Sequence, residues 1–150
     1  MKKLKHENID GVILSGGSNM FLSKKRDFNF GVIRLFKKKP ILGICLGHEL
    51  IVEYYKGVMY MMDRKANGYS YIYVTKDNKL AGKRRYYVLK SHNFAAGILP
   101  DCFEQLAWSS DCENEMIEHK KRPLFGVQFH PEMNSKGQII LDNFLKLCRN

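Results

Sequence analysis

One cysteine, Cys45, stands between two glycines in the stretch GICLGHE, after an apolar run that predicts a strand and before a segment that predicts a helix. A G-x-C-x-G sequence at such a junction is the layout of a nucleophile elbow, because the small neighbours let the backbone turn sharply and the helix pack closely. The elbow lifts the sulfur out of the sheet at the carboxyl end of the strands, where α/β sheets carry their sites. The first-turn N–H groups and the helix dipole favour the thiolate there. The spacing therefore indicates a nucleophile, with a structural cysteine as the alternative interpretation.

The stretch GVQFHPE, residues 126–132, supplies the other groups that a thiol nucleophile needs. Catalysis by cysteine requires a base, and the base requires a group that orients it. His130 follows a buried apolar run, and Glu132 stands two positions later, held by Pro131. We expect the His130 imidazole to take the thiol proton and the Glu132 carboxylate to fix the imidazole tautomer.

A third short motif, SGG at residues 15–17, closes another apolar run and supplies a candidate oxyanion hole. An oxyanion hole consists of backbone N–H groups that point to the developing negative charge. Gly17 would present one such N–H group, and Leu46, directly after the nucleophile, would present the other. Gly16 lies beside them and is a candidate substrate contact. Gly-Gly turns are common, so this motif carries weight only together with the other two.

The elements that must position these motifs follow from the hydrophobic pattern. A strand, a helix and a strand in that order imply parallel pairing through a crossover. The β-rich middle of the chain predicts antiparallel ribbons. The prediction is a single α/β domain over residues 1–150, with a mostly parallel sheet and added antiparallel ribbons. In chain order, the predicted elements are a strand and turn at 10–17, a helix at 28–39, a strand at 41–45, a helix at 46–56, strands at 69–75, 84–90, 104–110, 114–119 and 122–129, and a closing helix at 137–148.

Composition indicates an ordinary globular protein and argues against several functional classes. Hydrophobic residues make up 45% and charged residues 27% of the chain, and no apolar stretch approaches the roughly 20 residues that a membrane span needs. The basic N-terminus has no apolar segment behind it, so we predict a cytoplasmic protein without a secretion signal or a membrane partner. The formal net charge is +10. The basic residues are scattered outside 37–39 and 83–85 and form no nucleic-acid-binding motif, so we expect no specific nucleic-acid partner.

The sequence indicates no metal and no organic cofactor. The four cysteines, Cys45, Cys102, Cys112 and Cys148, have no metal-ligand spacing, and disulfides are not expected in the cytosol. The stretch HELIV lacks the second histidine of a zinc-protease helix. The sequence also contains no Walker phosphate-binding loop and no dinucleotide fingerprint.

Taken together, the three motifs resemble those of the class I (triad) glutamine amidotransferases, in which S-G-G leads to G-x-C-x-G-x-Q and then to G-V-Q-F-H-P-E. The likeness spans about residues 10–148, and within the family the segment from 89 to 132 is most similar to the glutaminase domain of GMP synthase. The resemblance implies a flavodoxin-like class I amidotransferase fold. It also implies hydrolysis of the substrate glutamine through a thioester on Cys45, with His130 protonating the departing ammonia. It makes Ser91 and His92 substrate-site candidates, and it implies a separate ATP-pyrophosphatase synthetase that receives the ammonia.

Two departures from the family pattern bear on function. The family begins with a strand, a helix and a second strand before the S-G-G strand, and this unit is missing ahead of Asp10. The strand at 10–17 would then be an exposed sheet edge, and we hypothesise that a homodimer or another chain covers it. The family's glutamine after G-x-C-x-G-x, which contacts the substrate, is Glu49 here. A carboxylate donates no hydrogen bond and opposes both the thiolate and the substrate's α-carboxylate, so we expect a weakened or retuned glutaminase.

Three functions are therefore compatible with the sequence. The first is a glutaminase that supplies ammonia to a GMP-synthase-type synthetase. The second is a hydrolase of another γ-glutamyl amide, without a synthetase partner. The third is a non-catalytic binding or regulatory protein with an amidotransferase-like fold. Glu49 and the short N-terminal region favour the third function, whereas the intact set of Cys45, His130 and Glu132 argues against it.

Overall fold

The computed structural model describes residues 8–17 and 23–149. These residues form one mixed sheet of seven strands with helices packed on its two faces. The elements are β1 (Val12–Leu14), α1 (Ser23–Leu35), β2 (Ile41–Ile44), α2 (Leu46–Tyr54), β3 (Val58–Val74), β4 (Arg85–Ile98), β5 (Phe103–Trp108), β6 (Met116–His119), β7 (Leu124–Val127), a 3-10 turn (Pro131–Met133) and α3 (Ser135–Cys148). Across the sheet the strand order is β1-β2-β7-β6-β5-β3-β4.

The parallel part of the sheet brings the three sequence motifs to one edge. β2 pairs in parallel with β1 on one side and with β7 on the other. Leu14 pairs with Gly43, and Gly43 pairs with Gly126. Each of the three motifs directly follows or closes one of these strands, so all three lie at the carboxyl ends of neighbouring strands. The predicted crossover and parallel pairing are confirmed.

The crossover helix α1 differs in its bounds from the predicted helix at 28–39. It begins at Ser23 and ends at Leu35, and the basic run at 37–39 lies mainly in a turn. Pro40 explains the early end, because a proline disfavours the helical conformation of the residue before it and the helix must close upstream.

The antiparallel part is larger than the sequence indicates. β3 has 17 residues and β4 has 14, whereas the hydrophobic pattern predicts strands only at 69–75 and 84–90. The additional part of β3, residues 58–68, contains a register shift between Met61 and Ala66 and a glycine, Gly68, at φ 106°. Such irregularities remove the period-two alternation on which strand prediction depends. β3 also pairs with β5, so the predicted ribbons are continuous with the parallel strands in one sheet.

Helices cover the centre of the sheet on both faces, and this explains why its central strands are apolar throughout. All four residues of β2 and of β7 are buried. Alternate residues of β2 face opposite sides: Leu42 joins the cluster with Phe144 of α3, and Ile41 joins the cluster with Ile33 of α1. Each such side chain contributes about 1.5–3 kcal/mol by its burial. Over the described residues, no helix is both long and apolar enough to cross a membrane.

β1 forms one edge of the sheet. In the part of the chain that the structure describes, it has a strand neighbour only on the β2 side. Ile13, in its middle, is 45% exposed. A groove of about 800 Å³ runs along this edge and reaches Gly16, Gly17 and Leu46 at the carboxyl end. The expected exposed edge is therefore present among the described residues, and the candidate oxyanion hole lies at the end of its groove.

Candidate active site

The backbone around Cys45 has the geometry of a sharp elbow. Cys45 adopts φ 49° and ψ −106°, a conformation that non-glycine residues rarely adopt. A Cβ on Gly43 would lie 2.5 Å from the carbonyl oxygen of Gly47, and a Cβ on Gly47 would clash with the carbonyl oxygen of Leu14. The two glycines are therefore required by the close approach of β1, β2 and α2. This elbow places Cys45 at the end of β2, immediately before the first turn of α2.

His130 and Glu132 lie next to the elbow. The His130 Nδ1 and Glu132 Oε1 atoms are 2.7 Å apart, a hydrogen bond made possible by the 3-10 turn that begins at Pro131. A Cβ built on Gly16 would lie 3.0 Å from His130 Cε1 and 3.5 Å from Cys45 Cβ. The imidazole and the cysteine thus both approach the Cβ position of Gly16, and the structure brings the three predicted triad residues together.

The two candidates for the oxyanion hole are also adjacent. A Cβ on Gly17 would lie 3.3 Å from Leu46 Cδ2. Leu46 is the first residue of α2, so its N–H group belongs to the unpaired first turn of the helix. A backbone hydrogen bond from Leu46 lowers the pKa of Cys45, which places this N–H group at the sulfur.

The thiol of Cys45 nevertheless resists ionisation. Burial, which is the largest cause, and the nearby charge of Glu49 raise the pKa of Cys45 to about 12. The hydrogen bond from Leu46 and the charge of Lys65 oppose this rise, whereas the charge of Glu132 adds to it. The sequence-based expectation that the helix N-terminus favours the thiolate is therefore outweighed by burial. In this conformation the thiol needs a base, or a change in its surroundings, to react.

Glu49 lies in the first turn of α2, close to the thiol, and is only 5% exposed. Its Oε1 atom accepts a hydrogen bond of 3.0 Å from Gln128 Nε2. Burial raises the pKa of Glu49 to about 7, although the hydrogen bond from Gln128 opposes the rise. The carboxyl group is therefore not the permanent negative charge that the sequence suggests, because its neutral form is populated at neutral pH.

Ser91 and His92 approach the site from β4. The carbonyl oxygen of Ser91 accepts a hydrogen bond from Cys45 Sγ over 3.8 Å, so Ser91 contacts Cys45 through its backbone. His92 is buried, and its Nδ1 lies 2.8 Å from the carbonyl oxygen of Phe94. Burial lowers the pKa of His92, which favours the neutral imidazole. Ser91 is thus adjacent to Cys45, while His92 is held by its own strand.

A buried ionic cluster supports this strand, and the sequence motifs did not predict it. Lys90 Nζ lies 2.5 Å from Glu115 Oε1, 2.6 Å from Asp111 Oδ1 and 2.8 Å from Ser109 Oγ. Burial alone would lower the pKa of Lys90, but the two carboxylates outweigh it and raise the pKa. The spacing in β4 could have indicated it, because Lys90 follows the buried Val88 by two residues and residues two apart in a strand share one face of the sheet. In the described ranges, no three His, Cys, Asp or Glu side chains are grouped as metal ligands.

The comparisons with known proteins agree with this geometry. The family model of the class-I glutamine amidotransferases matches residues 1–147, so the chain belongs to this family. Among its relatives is a glutamine-hydrolysing GMP synthase subunit of Methanococcus maripaludis, which is 40% identical over 144 residues, or 93% of this chain and 74% of the relative. The protein of the same name from Methanocaldococcus jannaschii is 39% identical over 147 residues, which cover 95% of this chain and 76% of the relative.

Solved structures give the same result for the fold. A Thermoplasma acidophilum protein described as a GMP synthase subunit superposes with a TM-score of 0.90 at 28% identity, over 99% of this chain and 77% of that one. A glutamine amidotransferase of Thermotoga maritima has a TM-score of 0.74 at 23% identity, over 91% of this chain and 62% of that one. The predicted flavodoxin-like amidotransferase fold and the likeness to GMP synthase glutaminase subunits are confirmed.

Proposed function

We propose that the protein hydrolyses glutamine to glutamate and ammonia with Cys45 as nucleophile, His130 as base and Glu132 as the group that orients the imidazole. The observation that carries the proposal is that Cys45, on an elbow with φ 49°, and the hydrogen-bonded pair of His130 and Glu132 meet at one point. Cys45 Cβ and His130 Cε1 both lie within 3.5 Å of the Cβ position of Gly16. A thiol, an imidazole and a carboxylate in this order are the elements of a nucleophilic triad.

In the first half of the reaction, His130 takes the Cys45 proton and the sulfur attacks the side-chain amide carbon of glutamine. The N–H groups of Gly17 and Leu46 stabilise the oxyanion, and His130 returns the proton to the leaving nitrogen, so ammonia departs and a γ-glutamyl thioester remains. In the second half, water attacks the thioester with His130 as base, and glutamate leaves with the thiol restored. Gly16 and Ser91 line this site, and His92 follows Ser91 on β4.

We further propose that the ammonia is used by a separate ATP-pyrophosphatase synthetase. Two considerations support this step. Relatives at about 40% identity are named as one subunit of GMP synthase, and such a name implies that a second subunit exists. Burial of the Cys45 thiol, which raises its pKa, also supports a site that docking of a second subunit completes.

The test is release of glutamate from glutamine by the purified chain, beside Cys45→Ala and the control variant Cys102→Ala. We expect slow release that Cys45→Ala abolishes and Cys102→Ala preserves, because Cys102 is a half-buried cysteine that packs against a different core cluster from that of Cys45. Labelling by the glutamine analogue diazo-oxo-norleucine, read by mass spectrometry, should occur at Cys45 alone. Equal turnover in Cys45→Ala would disprove the assignment of the nucleophile.

The raised pKa of Cys45 also favours a second function, that of a non-catalytic amidotransferase-like regulatory protein. This alternative predicts that glutamine binds without turnover and that Cys45 is not labelled, even in the presence of the synthetase component of GMP synthase. Calorimetry of glutamine binding together with the labelling experiment distinguishes the two functions.

A further inference from the structure

The two oxygens of the Glu49 carboxyl group have different surroundings. Oε1 accepts the hydrogen bond from Gln128 Nε2 at 3.0 Å. Within the described part of the chain, Oε2 has no hydrogen-bond partner. Gln128 Oε1 is also unpaired but is completely buried, whereas Glu49 Oε2 is not completely buried. One oxygen is thus fixed by the protein, while the other is available to a molecule that enters the site beside Cys45.

No cation neutralises Glu49 in the part of the chain that the structure describes. Among the described residues, the causes that shift its pKa are burial, which raises it, and the hydrogen bond from Gln128, which lowers it. On the elements packed around α2, the described strand residues of β1, β2 and β7 include no titratable side chain, and Arg26 of α1 pairs with Glu53, one turn further along α2, at 3.3 Å. The remaining titratable groups around the site are Cys45 and His48 on the elbow and α2, Lys65 on β3, His92 on β4, and the His130–Glu132 pair.

We propose that Glu49 contacts glutamine as an uncharged carboxylic acid, donating through Oε2 the hydrogen bond that an amide donates in the family pattern. In this arrangement Gln128 is a positioning residue, because its amide holds Oε1 as an acceptor and leaves the proton on Oε2. The proposal rests on the glutaminase function proposed above, and it identifies the protonation state of Glu49 in which the enzyme is active.

Protonation of Glu49 has two consequences for the same site. A protonated carboxyl group keeps one O–H donor, whereas a carboxylate has none. Protonation also removes the negative charge that is the second-largest cause of the raised pKa of Cys45. The neutral form therefore both offers a donor to the substrate and makes the thiol easier to ionise. The raised pKa of Glu49 keeps this form populated near neutral pH.

The first test compares kcat/KM for glutamine in the wild type and in Glu49→Gln between pH 6 and pH 9, with Glu53→Gln as the matched control on the same helix. Other titrating groups are present in both proteins, so the ratio of kcat/KM in Glu49→Gln to kcat/KM in the wild type reports the effect of Glu49. For a carboxyl group with a pKa of about 7, we expect this ratio to rise about tenfold from pH 6 to pH 8, because the protonated fraction falls by that factor. Glu53→Gln should give a ratio that does not change with pH. A Glu49→Gln ratio that is equally constant would overturn the proposal.

A second variant tests the positioning role of Gln128. Gln128→Met keeps the volume of this fully buried side chain and removes the donor that stabilises the Glu49 carboxylate. Loss of that donor raises the pKa of Glu49 further, so activity should decline at a higher pH in Gln128→Met than in the wild type. A decline at the same pH in Gln128→Met would overturn this role.

A third measurement does not need turnover and separates this proposal from the glutaminase proposal. In Cys45→Ala with a ¹³C-labelled glutamate carboxyl group at position 49, the carboxyl resonance should titrate near pH 7 and should shift when glutamine is added at pH 6. Absence of the shift, or a carboxyl group that stays ionised down to pH 5, overturns the proposal even if the enzyme is active. A titration and shift in an enzyme without turnover would support it and refute only the glutaminase proposal.

Discussion

Replacement of Lys90 by methionine should destabilise the protein strongly, and by an amount that depends on pH. Lys90 and Glu115 have side-chain exposures of 2% and 0%, and their charged atoms are 2.5 Å apart. Removal of one partner of a buried ion pair costs about 3–5 kcal/mol, because the other charge is left without compensation. Asp111 is half exposed and can be solvated, so the loss falls mainly on Glu115.

The pH dependence follows from the protonation of Glu115. In Lys90→Met this buried carboxyl group must take up a proton to remain in the folded state, so its pKa in the folded state rises above the unfolded value of about 4.3. Stability is then unaffected below that unfolded pKa and is lost as the pH rises above it. Burial raises the pKa of Glu115 in the wild type as well, although Lys90 opposes the rise, so the additional loss in Lys90→Met grows only above that wild-type pKa. At 1.36 kcal/mol per pH unit, we expect the loss to be larger at pH 7.5 than at pH 5.5, by up to about 2.7 kcal/mol.

Urea denaturation at the two pH values measures this loss, with Lys79→Met as the matched control. Lys79 also pairs with a glutamate, Glu118, at 3.0 Å, but its side chain is 57% exposed, so its loss should cost at most about 1 kcal/mol. In Lys90→Met/Glu115→Met most of the stability should return, because no charge is left buried. A loss in Lys90→Met below about 1 kcal/mol, or one that is equal at both pH values, would refute this reasoning.

Three further predictions concern the elbow and the closing helix, and thermal or urea unfolding measures each of them. Cys45→Gly should be more stable than Cys45→Ala by about 1 kcal/mol, because glycine tolerates φ 49° without strain; equal stability of the two would show that the elbow is not strained. Gly47→Ala should lose about 3 kcal/mol, because the added Cβ clashes with the carbonyl oxygen of Leu14. The matched control Gly82→Ala should cost less than about 1 kcal/mol, because its Cβ would make only an ordinary contact of 3.4 Å with Asp77 Oδ1. Asn134→Ala should lose about 1 kcal/mol, because the Asn134 side chain caps α3 by accepting from the N–H group of Gly137 at 2.6 Å, and Asn134→Asp should keep most of the stability.

The short motifs could be recognised from the sequence because their function depends on local geometry. The G-x-C-x-G stretch specifies its own turn, since glycine is required on both sides of Cys45 wherever a strand meets a helix this closely. His130 and Glu132 are two residues apart, so their hydrogen bond also depends on a local turn. The apolar runs of β2 and β7 predict the buried parallel strands, and Pro40 predicts the end of the helix before β2. Each of these signals lies within a few residues of the structure that it specifies.

The length of the antiparallel ribbon and the state of the titratable groups depended on contacts between distant parts of the chain. The first half of β3 has no regular alternation, and only pairing with β4 makes it a strand. Lys90 and Glu115 are far apart in the sequence, and only the sheet brings their charges together in the core.

The sequence by itself determined the family, the elbow and the order of the candidate catalytic residues. It determined that a carboxylic side chain, Glu49, stands where the family has an amide, but it did not determine the charge of that side chain. Only the tertiary structure decided this, because burial beside Cys45 raises the pKa of Glu49 to about 7, although the hydrogen bond from Gln128 opposes the rise. The chemical identity of a group is written in the sequence, whereas its protonation depends on the solvent and dipoles that the fold removes or brings close.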